Sequence, residues 1–261
     1  MIYYQQHFSN TSAAPTTYLM PDNSTALPPL IAIIGCDGSG KSTVSEALLL
    51  WVRGYGPAAA AHLGKQQGNS GRWFAQLPLV GGWFERFIGS KVATVHSSRS
   101  KNKAPDFLPA LVMHAFTMRR VRRFRRMMAL RRRGMIVIAD RYPQLDIPSA
   151  FDGPDMSVEA KGSRFVNWLA QREQTAFEWM TSFRPDLVIR LNVDLDTACA
   201  RKPDHRREAL ERKIAIVPQL TLNGAPIVEV EAAQSLDAVV TAARAAASSM
   251  LVAHGYQRSE P

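Results

Sequence analysis

The chain predicts an α/β fold, a parallel sheet wound on both faces by helices, and three observations carry that prediction. Short apolar runs rich in β-branched residues alternate with longer stretches of helical spacing. The first run leads directly into a glycine-rich loop and then an amphipathic stretch. The length of 261 residues, with 46% hydrophobic and 21% charged, suits one globular domain or at most two.

Each element has its own signal. Leu30–Ile34 is a buried strand by composition, and residues 35–40 form a loop. Lys41–Arg53 is helical, because Val44, Ala47, Leu48 and Trp51 repeat at helical spacing. Ala58–Leu63 is a second strand, built mostly of alanine. Residues 64–104 show only weak periodicity, and helices and loops are expected there; the pairs Trp73-Phe74 and Trp83-Phe84 are assigned to packing. Phe107–Arg133 is a long helix that Gly134 ends. Met135–Ala139 is the next strand, with Asp140 at its carboxyl end. Val158–Phe183 is helical and Leu187–Val193 a strand. Asp194–Arg201 and His205–Ile216 are short helices, Ile227–Val230 is the fifth strand, and Leu236–Ala253 is a closing alanine-rich helix.

Charge narrows the partners without choosing one. A net charge of +10 and a pI near 10.0 favour anionic partners such as nucleotides, nucleic acid or an acidic membrane face. Two cysteines, Cys36 and Cys199, make no disulfide framework, so a reducing cytoplasm is the expected setting. No apolar run approaches the ~20 residues of a membrane span. Residues 1–29, rich in Ser, Thr, Asn and Pro, read as a mobile N-terminal arm ahead of a single domain at 30–261.

The chemistry begins in the first loop. Gly35-Cys36-Asp37-Gly38-Ser39-Gly40-Lys41-Ser42 fits G-x-x-x-x-G-K-[ST] between a strand and a helix. Glycines allow backbone angles closed to other residues and a close approach to a ligand. Successive N–H groups then form an anion nest backed by a helix N-terminus. In this pattern Lys41 reaches the outer phosphates, Ser42 ligates Mg²⁺, and Thr43 adds a hydrogen bond. The alternative is an ordinary glycine turn. Cys36 is either a thiol activated by the helix terminus or a small filler beneath the loop.

A second constellation follows the third strand. Asp140-Arg141-Tyr142 stands where a parallel strand leaves the sheet, and ligands of open α/β folds lie beyond these ends. Asp140 could hold a magnesium-bound water, and Arg141 offers a fork for a phosphate. The competing reading is a surface Asp–Arg pair.

Together, Gly35–Thr43 and Asp140-Arg141-Tyr142 resemble the thymidylate kinase group of P-loop kinases. Arg119 sits at the family spacing from Asp140, and residues 184–201 are similar to the family's P-D-L strand and the helix entering its lid. The resemblance covers about residues 30–55, 110–145 and 184–240. It implies a three-layer P-loop kinase fold: a five-stranded parallel sheet, helices on both faces, and a short arginine-bearing lid at about 201–212. It also implies ATP as donor, Mg²⁺ as cofactor, and a nucleoside monophosphate such as dTMP as acceptor. Carried over by position, Arg119 and Arg141 would clamp the acceptor phosphate beside Tyr142. Asp37 would touch the acceptor or act as a base. The loop carries Gly38 and Ser39 where some members place a catalytic arginine, so the lid must supply that charge, with Arg206 the first candidate and Arg201 the second. The stretches that would read a thymine ring do not match, which leaves a nucleoside, sugar or glycan hydroxyl open as acceptor. The resemblance admits a homodimer without specifying one.

The arginine-rich run Arg119–Arg133 contains no acid. It is either a surface for acidic membrane or another polyanion, or a helix with one solvated face and one or two inward arginines. Thr117, Val121, Phe124 and Met128 keep a core-facing stripe, which favours the solvated helix. A nucleotide-binding, membrane- or polyanion-associated protein with vestigial phosphotransfer is the remaining functional alternative.

Overall fold

The computed structural model describes residues 27–64, 104–148, 150–160 and 162–259. Most of the expected N-terminal arm and both Trp-Phe pairs lie outside the described residues. Five parallel strands form one sheet in the order β2-β3-β1-β4-β5. They are β1 Leu30–Gly35, β2 Ala58–His62, β3 Ile136–Asp140, β4 Leu187–Asn192 and β5 Ile227–Glu231. Every pairing is parallel. The crossovers carry α1 Lys41–Val52, α2 Phe107–Arg132, α3 Arg164–Thr181, α4 Leu195–Arg201 and α5 Arg207–Ile216, and α6 Leu236–Ala253 follows the last strand.

Alternation along the central strands divides the core into two layers. Ile31, Ile33, Ile138 and Ile189 face a cluster that includes Val44, Leu48 and Val52 of α1, and Ala243 and Ala247 of α6. Leu30, Ala32, Val137 and Val188 face the other way, onto Phe124 and Met128 of α2 and Phe177 and Met180 of α3. The result is a three-layer α/β fold consistent with a P-loop kinase, with helices on both faces of the sheet. α6 has the length and mean hydropathy, 1.4, of a membrane span. Its buried Val239, Ala243, Ala247 and Leu251 nevertheless join the first core layer.

Two boundaries differ from expectation for local reasons. α3 begins six residues later than its periodicity predicts, because the Ser163 hydroxyl accepts the Val166 N–H and caps the helix there. β3 extends through Asp140, which pairs in register with both Ile33 and His62. That register ends β2 and β3 together and lets β1 run two residues further, to Gly35, so the loop after β1 opens near the Asp140 carboxylate. Gly134, at φ 82°, ends α2 as the sequence indicates.

Candidate functional site

The loop from Gly35 to Gly40 is packed below and open above. A Cβ at Gly35 would lie 2.5 Å from Ser39 Oγ and 2.7 Å from the Leu191 carbonyl. Only glycine fits against β4 there. Gly38 and Gly40 take φ of 87° and 82°, the left-handed region that L side chains rarely adopt. A Cβ at Gly40 would meet nothing within 4 Å. Gly40 stands at the N-cap of α1, so the unpaired N–H groups of the first turn face that open side. Ser42 and Thr43 are exposed on the same turn.

Charged groups converge on this loop from three other segments. Arg141 adopts φ 64°, unusual for a side chain other than glycine, and its Nη2 donates to Asp37 Oδ1 at 3.0 Å. Lys213 of α5 donates to Asp37 Oδ2, and His205 Nε2 lies 3.8 Å from the same oxygen. Burial would raise the Asp37 pKa, but the Lys213 hydrogen bond and the charges of Lys213, Lys41 and Arg141 outweigh it and hold the carboxyl at about 2. A carboxylate held that low is a poor proton acceptor at neutral pH. Arg141 keeps its charge despite burial, because Asp152, Asp37 and Asp140 surround it.

Lys41 is buried and its Nζ donates to the Cys36 carbonyl at 2.5 Å. Burial lowers its pKa, and so does Arg141, while Asp37 and Asp140 pull it back up. Asp140 Oδ2 pairs with His62 Nδ1 at 2.9 Å. Its Oδ1 is buried and unpartnered among the described residues, as is Ser39 Oγ. An orphaned carboxylate oxygen beside an amide nest is what a phosphate chain with magnesium requires. The residues present therefore fit a nucleotide phosphate, with Ser42 and Asp140 on the metal side.

Cys36 is the filler of the two readings. It is 2% exposed, and burial pushes its thiol up despite Lys41 nearby.

The remaining sequence-nominated residues occupy distinct places. Arg201 links α4 to the loop: Nη1 donates to Gly38 O at 3.2 Å and to Ala232 O at 2.9 Å. Arg206 precedes α5, exposed, and its side chain makes no hydrogen bond with another described residue. Tyr142 is buried, with its ring against Phe124, and its hydroxyl donates to Phe183 O, away from the loop. Arg119 is half-buried on α2, and its side chain makes no hydrogen bond with another described residue. Its neighbour Arg120 turns inward instead. Arg120 Nε donates to Leu63 O at 2.8 Å, Nη1 to Asp152 O at 2.6 Å and Nη2 to Asp152 Oδ1 at 2.5 Å.

A narrow cleft beside the loop is lined by Gly35, Lys41, Arg141, Gln144, Phe151 and Asp152. Phe151 also has positive φ, 47°. A larger cavity, about 300 Å³, lies behind Tyr142 between Gln144, Asp146, Glu178 and Asn223. Much of its polar wall is already paired: Asp146 accepts from Thr221 and Leu222, and the Thr181 and Ser182 hydroxyls bond backbone carbonyls. Asp140 Oδ1 and Ser39 Oγ, both unpartnered among the described residues, lie at the loop instead.

Sequence reasoning missed His62, His205 and Lys213. His62 ends a strand beside Asp140, and that position was a readable signal. His205 falls in the lid segment at about 201–212 and Lys213 one residue beyond it, where the resemblance implies only arginines.

A glycine-bent loop around a helix start, with a lysine at its foot and a carboxylate at the adjacent strand end, defines a phosphate-loop α/β protein. No family model matches the chain. It is 42% identical to the Escherichia coli K12 "Uncharacterized ATP-binding protein YghS" over 214 residues, 82% of this chain and 90% of the relative. It is 36% identical to "Uncharacterized ATP-binding protein YghR" of the same strain over 223 residues, 85% of this chain and 88% of the relative. The chain belongs to the family of YghS and YghR.

Proposed function

We propose that the chain binds ATP with Mg²⁺ and transfers the γ-phosphoryl group to a small phosphate-bearing acceptor, as a thymidylate kinase-like phosphotransferase. ATP binding is supported by the names of both relatives and by the open amide nest at Gly40. The observation that carries the acceptor class is Asp37, ringed by Lys213, Arg141 and Lys41 and held at about 2.

Transfer to a hydroxyl calls for a base near neutrality. Transfer to a phosphate monoester does not, because its second ionisation, near 6, is already largely complete at neutral pH. Asp37 is a weak base and its partners are cations, so the site suits an anionic acceptor such as a nucleoside monophosphate, dTMP included.

Each side chain then has a defined task. Lys41 would leave the Cys36 carbonyl for the outer phosphates, and the Gly38–Lys41 amides would hold the chain. Arg141 would orient the acceptor phosphate, with Arg119 as its partner on α2 and Asp37 fixing the guanidinium. Ser42 and Asp140 would hold the magnesium, which supplies charge neutralisation on the phosphates. Arg206, uncommitted at the head of α5, would approach the transferring group. Arg201 would brace the loop against residues 195–201. Closure of a lid at about 201–212 follows from this arrangement. Catalysis of this kind is positioning plus electrostatics rather than covalent participation.

A panel assay tests the proposal. ADP release is measured with each nucleoside monophosphate, nucleoside and simple sugar, beside ATP calorimetry on wild type and Lys41→Ala. Stimulation by one monophosphate, with ATP affinity lost in Lys41→Ala, is expected. Stimulation by a hydroxyl acceptor alone would overturn the acceptor class. Unchanged ATP affinity in Lys41→Ala would overturn the site.

A further inference from the structure

We infer that the outer face of α2, together with the start of α3, is a docking surface for an anionic lipid bilayer. α2 contains no acidic residue over its 26 positions. Its exposed side chains share one stripe. At 3.6 residues per turn, Phe107, Leu111, Arg122, Arg125, Arg126 and Arg132 fall within an arc of about 120°. The buried stripe, with Thr117, Val121, Phe124 and Met128, occupies a separate arc against the sheet and α3.

The stripe has two chemically distinct ends. At its start, Phe107 and Leu111 are 55% and 41% exposed, beside Phe165 and Trp168 of α3 at 42% and 46%. Phe107 and Phe165 stack at 5.1 Å, and Phe165 and Trp168 at 5.7 Å, so these rings form one contiguous patch. Exposed apolar patches of this sort mark a partner rather than ordinary surface.

At the other end the arginines crowd one another. Among the described residues, Arg122, Arg125, Arg126 and Arg132 pair with no carboxylate; Arg125 lies over the Trp179 ring at 5.7 Å. Burial and then the charges of Arg119, Arg120 and Arg126 lower the pKa of Arg123 between them. Like charges at i, i+3 and i, i+4 cost stability in a helix. An anionic surface removes that cost.

A bilayer supplies both halves of the complement. Its headgroup phosphates meet the guanidinium groups, and its interfacial zone takes aromatic rings and leucine. A polynucleotide would meet the arginines but leave Phe107 and Leu111 in water. A second copy docked by the same face through a two-fold axis would bring further arginine-rich surface to a stripe that already repels itself. The bilayer is therefore the occupant the stripe fits best.

The full chain is floated with vesicles of phosphatidylcholine alone and of phosphatidylcholine with phosphatidylserine, at low and high salt. Flotation only with the anionic vesicles, reduced by salt, is expected. Joint substitution Arg122→Glu, Arg125→Glu and Arg126→Glu lowers partitioning by on the order of a hundredfold, at about 1 kcal/mol per basic group. Trp168→Ala weakens binding while leaving its salt dependence intact. Circular dichroism and ATP calorimetry on each variant confirm that fold and nucleotide site survive. No flotation at low salt, or vesicle binding by the triple variant equal to wild type, overturns the inference. So does arginine-dependent binding to duplex DNA or self-association in place of lipid binding.

Discussion

Two groups of charge lie close together in this protein, one buried and fully paired, the other partly exposed with valences unfilled. The first joins α2, the segment before α3, and α3. Arg120 is 2% exposed and spends its guanidinium on Leu63 O, Asp152 O and Asp152 Oδ1. Glu173, fully buried, accepts from Thr117 Oγ1 at 2.6 Å and from the Asp155 and Met156 N–H groups. Burial pushes the Glu173 carboxyl up, against the pull of those three bonds. The second group surrounds the phosphate loop. There Asp140 Oδ1 and Ser39 Oγ lack partners among the described residues, and the Arg141 and Lys213 side chains are 35% and 37% exposed. Both groups are ionic. The first is buried and satisfied, and it pins residues 152–156 in place; the second is partly exposed and holds valences in reserve. Satisfaction together with exposure separates charge that holds the fold from charge that awaits a ligand.

The strongest way to break this contrast is Arg120→Ala. It leaves Asp152 buried without its partner, and such losses cost about 3–5 kcal/mol. Thermal unfolding should shift down by many degrees while ATP affinity of the folded fraction is retained. A Tm near wild type would place Arg120 in the second group. Arg206→Ala should act in the opposite way. Its exposed head bonds to no other described residue, so stability should hold within about 0.5 kcal/mol. Turnover with the acceptor found in the panel should fall ~10³-fold with ATP affinity barely altered. Full turnover in that variant would remove Arg206 from the mechanism and leave Arg201 to be tested.

The two groups were unequally legible in the sequence. The phosphate loop is a local pattern, contiguous from Gly35 to Thr43, and needs only its flanking strand and helix to be read. Four of the strands are legible in the same local way, from apolar and β-branched composition, whereas β2 is mostly alanine and carries little such signal. The Arg120–Asp152–Glu173–Thr117 network is not local: 56 residues separate Thr117 from Glu173, and only packing of α2 on α3 joins them. The register of α2 shows the limit most clearly. Spacing from Asp140 nominated Arg119, whereas rotation of the helix about its Val121–Phe124 stripe turns Arg120 to the interior. One residue is about 100° of helix, more than sequence spacing alone can fix. Lys213 was hidden by distance too, 176 residues from Asp37.

A smaller effect sharpens the contrast from the loop side. Lys213→Met removes one of the two close cations on Asp37 and leaves Arg141. The Lys213 side chain is 37% exposed, so the cost in stability should stay below about 1 kcal/mol. Turnover should fall by roughly tenfold as Asp37 loses its hold on the α5 segment and Arg141 is less firmly oriented. An unchanged rate would make the Lys213–Asp37 contact an ordinary surface pair.

The smallest effect is a pH dependence with a defined sign. Asp37 has a folded pKa of about 2 against an ordinary 3.8. A depressed carboxyl stabilises the folded state above its unfolded pKa, and the contribution disappears as pH falls through the folded one. Stability from this group should therefore be constant above about pH 4 and drain away between about pH 4 and pH 2, by ~1 kcal/mol after solvent screening. Asp37→Asn should flatten the stability curve in that window alone. Lys213→Met should shift the loss toward higher pH, because the hydrogen bond that most opposes protonation is gone. Glu173 supplies the contrast within the same titration. Its pKa is raised from the ordinary 4.5, so it takes up its proton above that window, where protonation relieves a buried charge rather than breaking an ion pair, and Glu173→Gln should leave the Asp37 window where it was. If instead Glu173→Gln erased the loss of stability below pH 4 and Asp37→Asn left it intact, the assignment of the two groups would have to be exchanged.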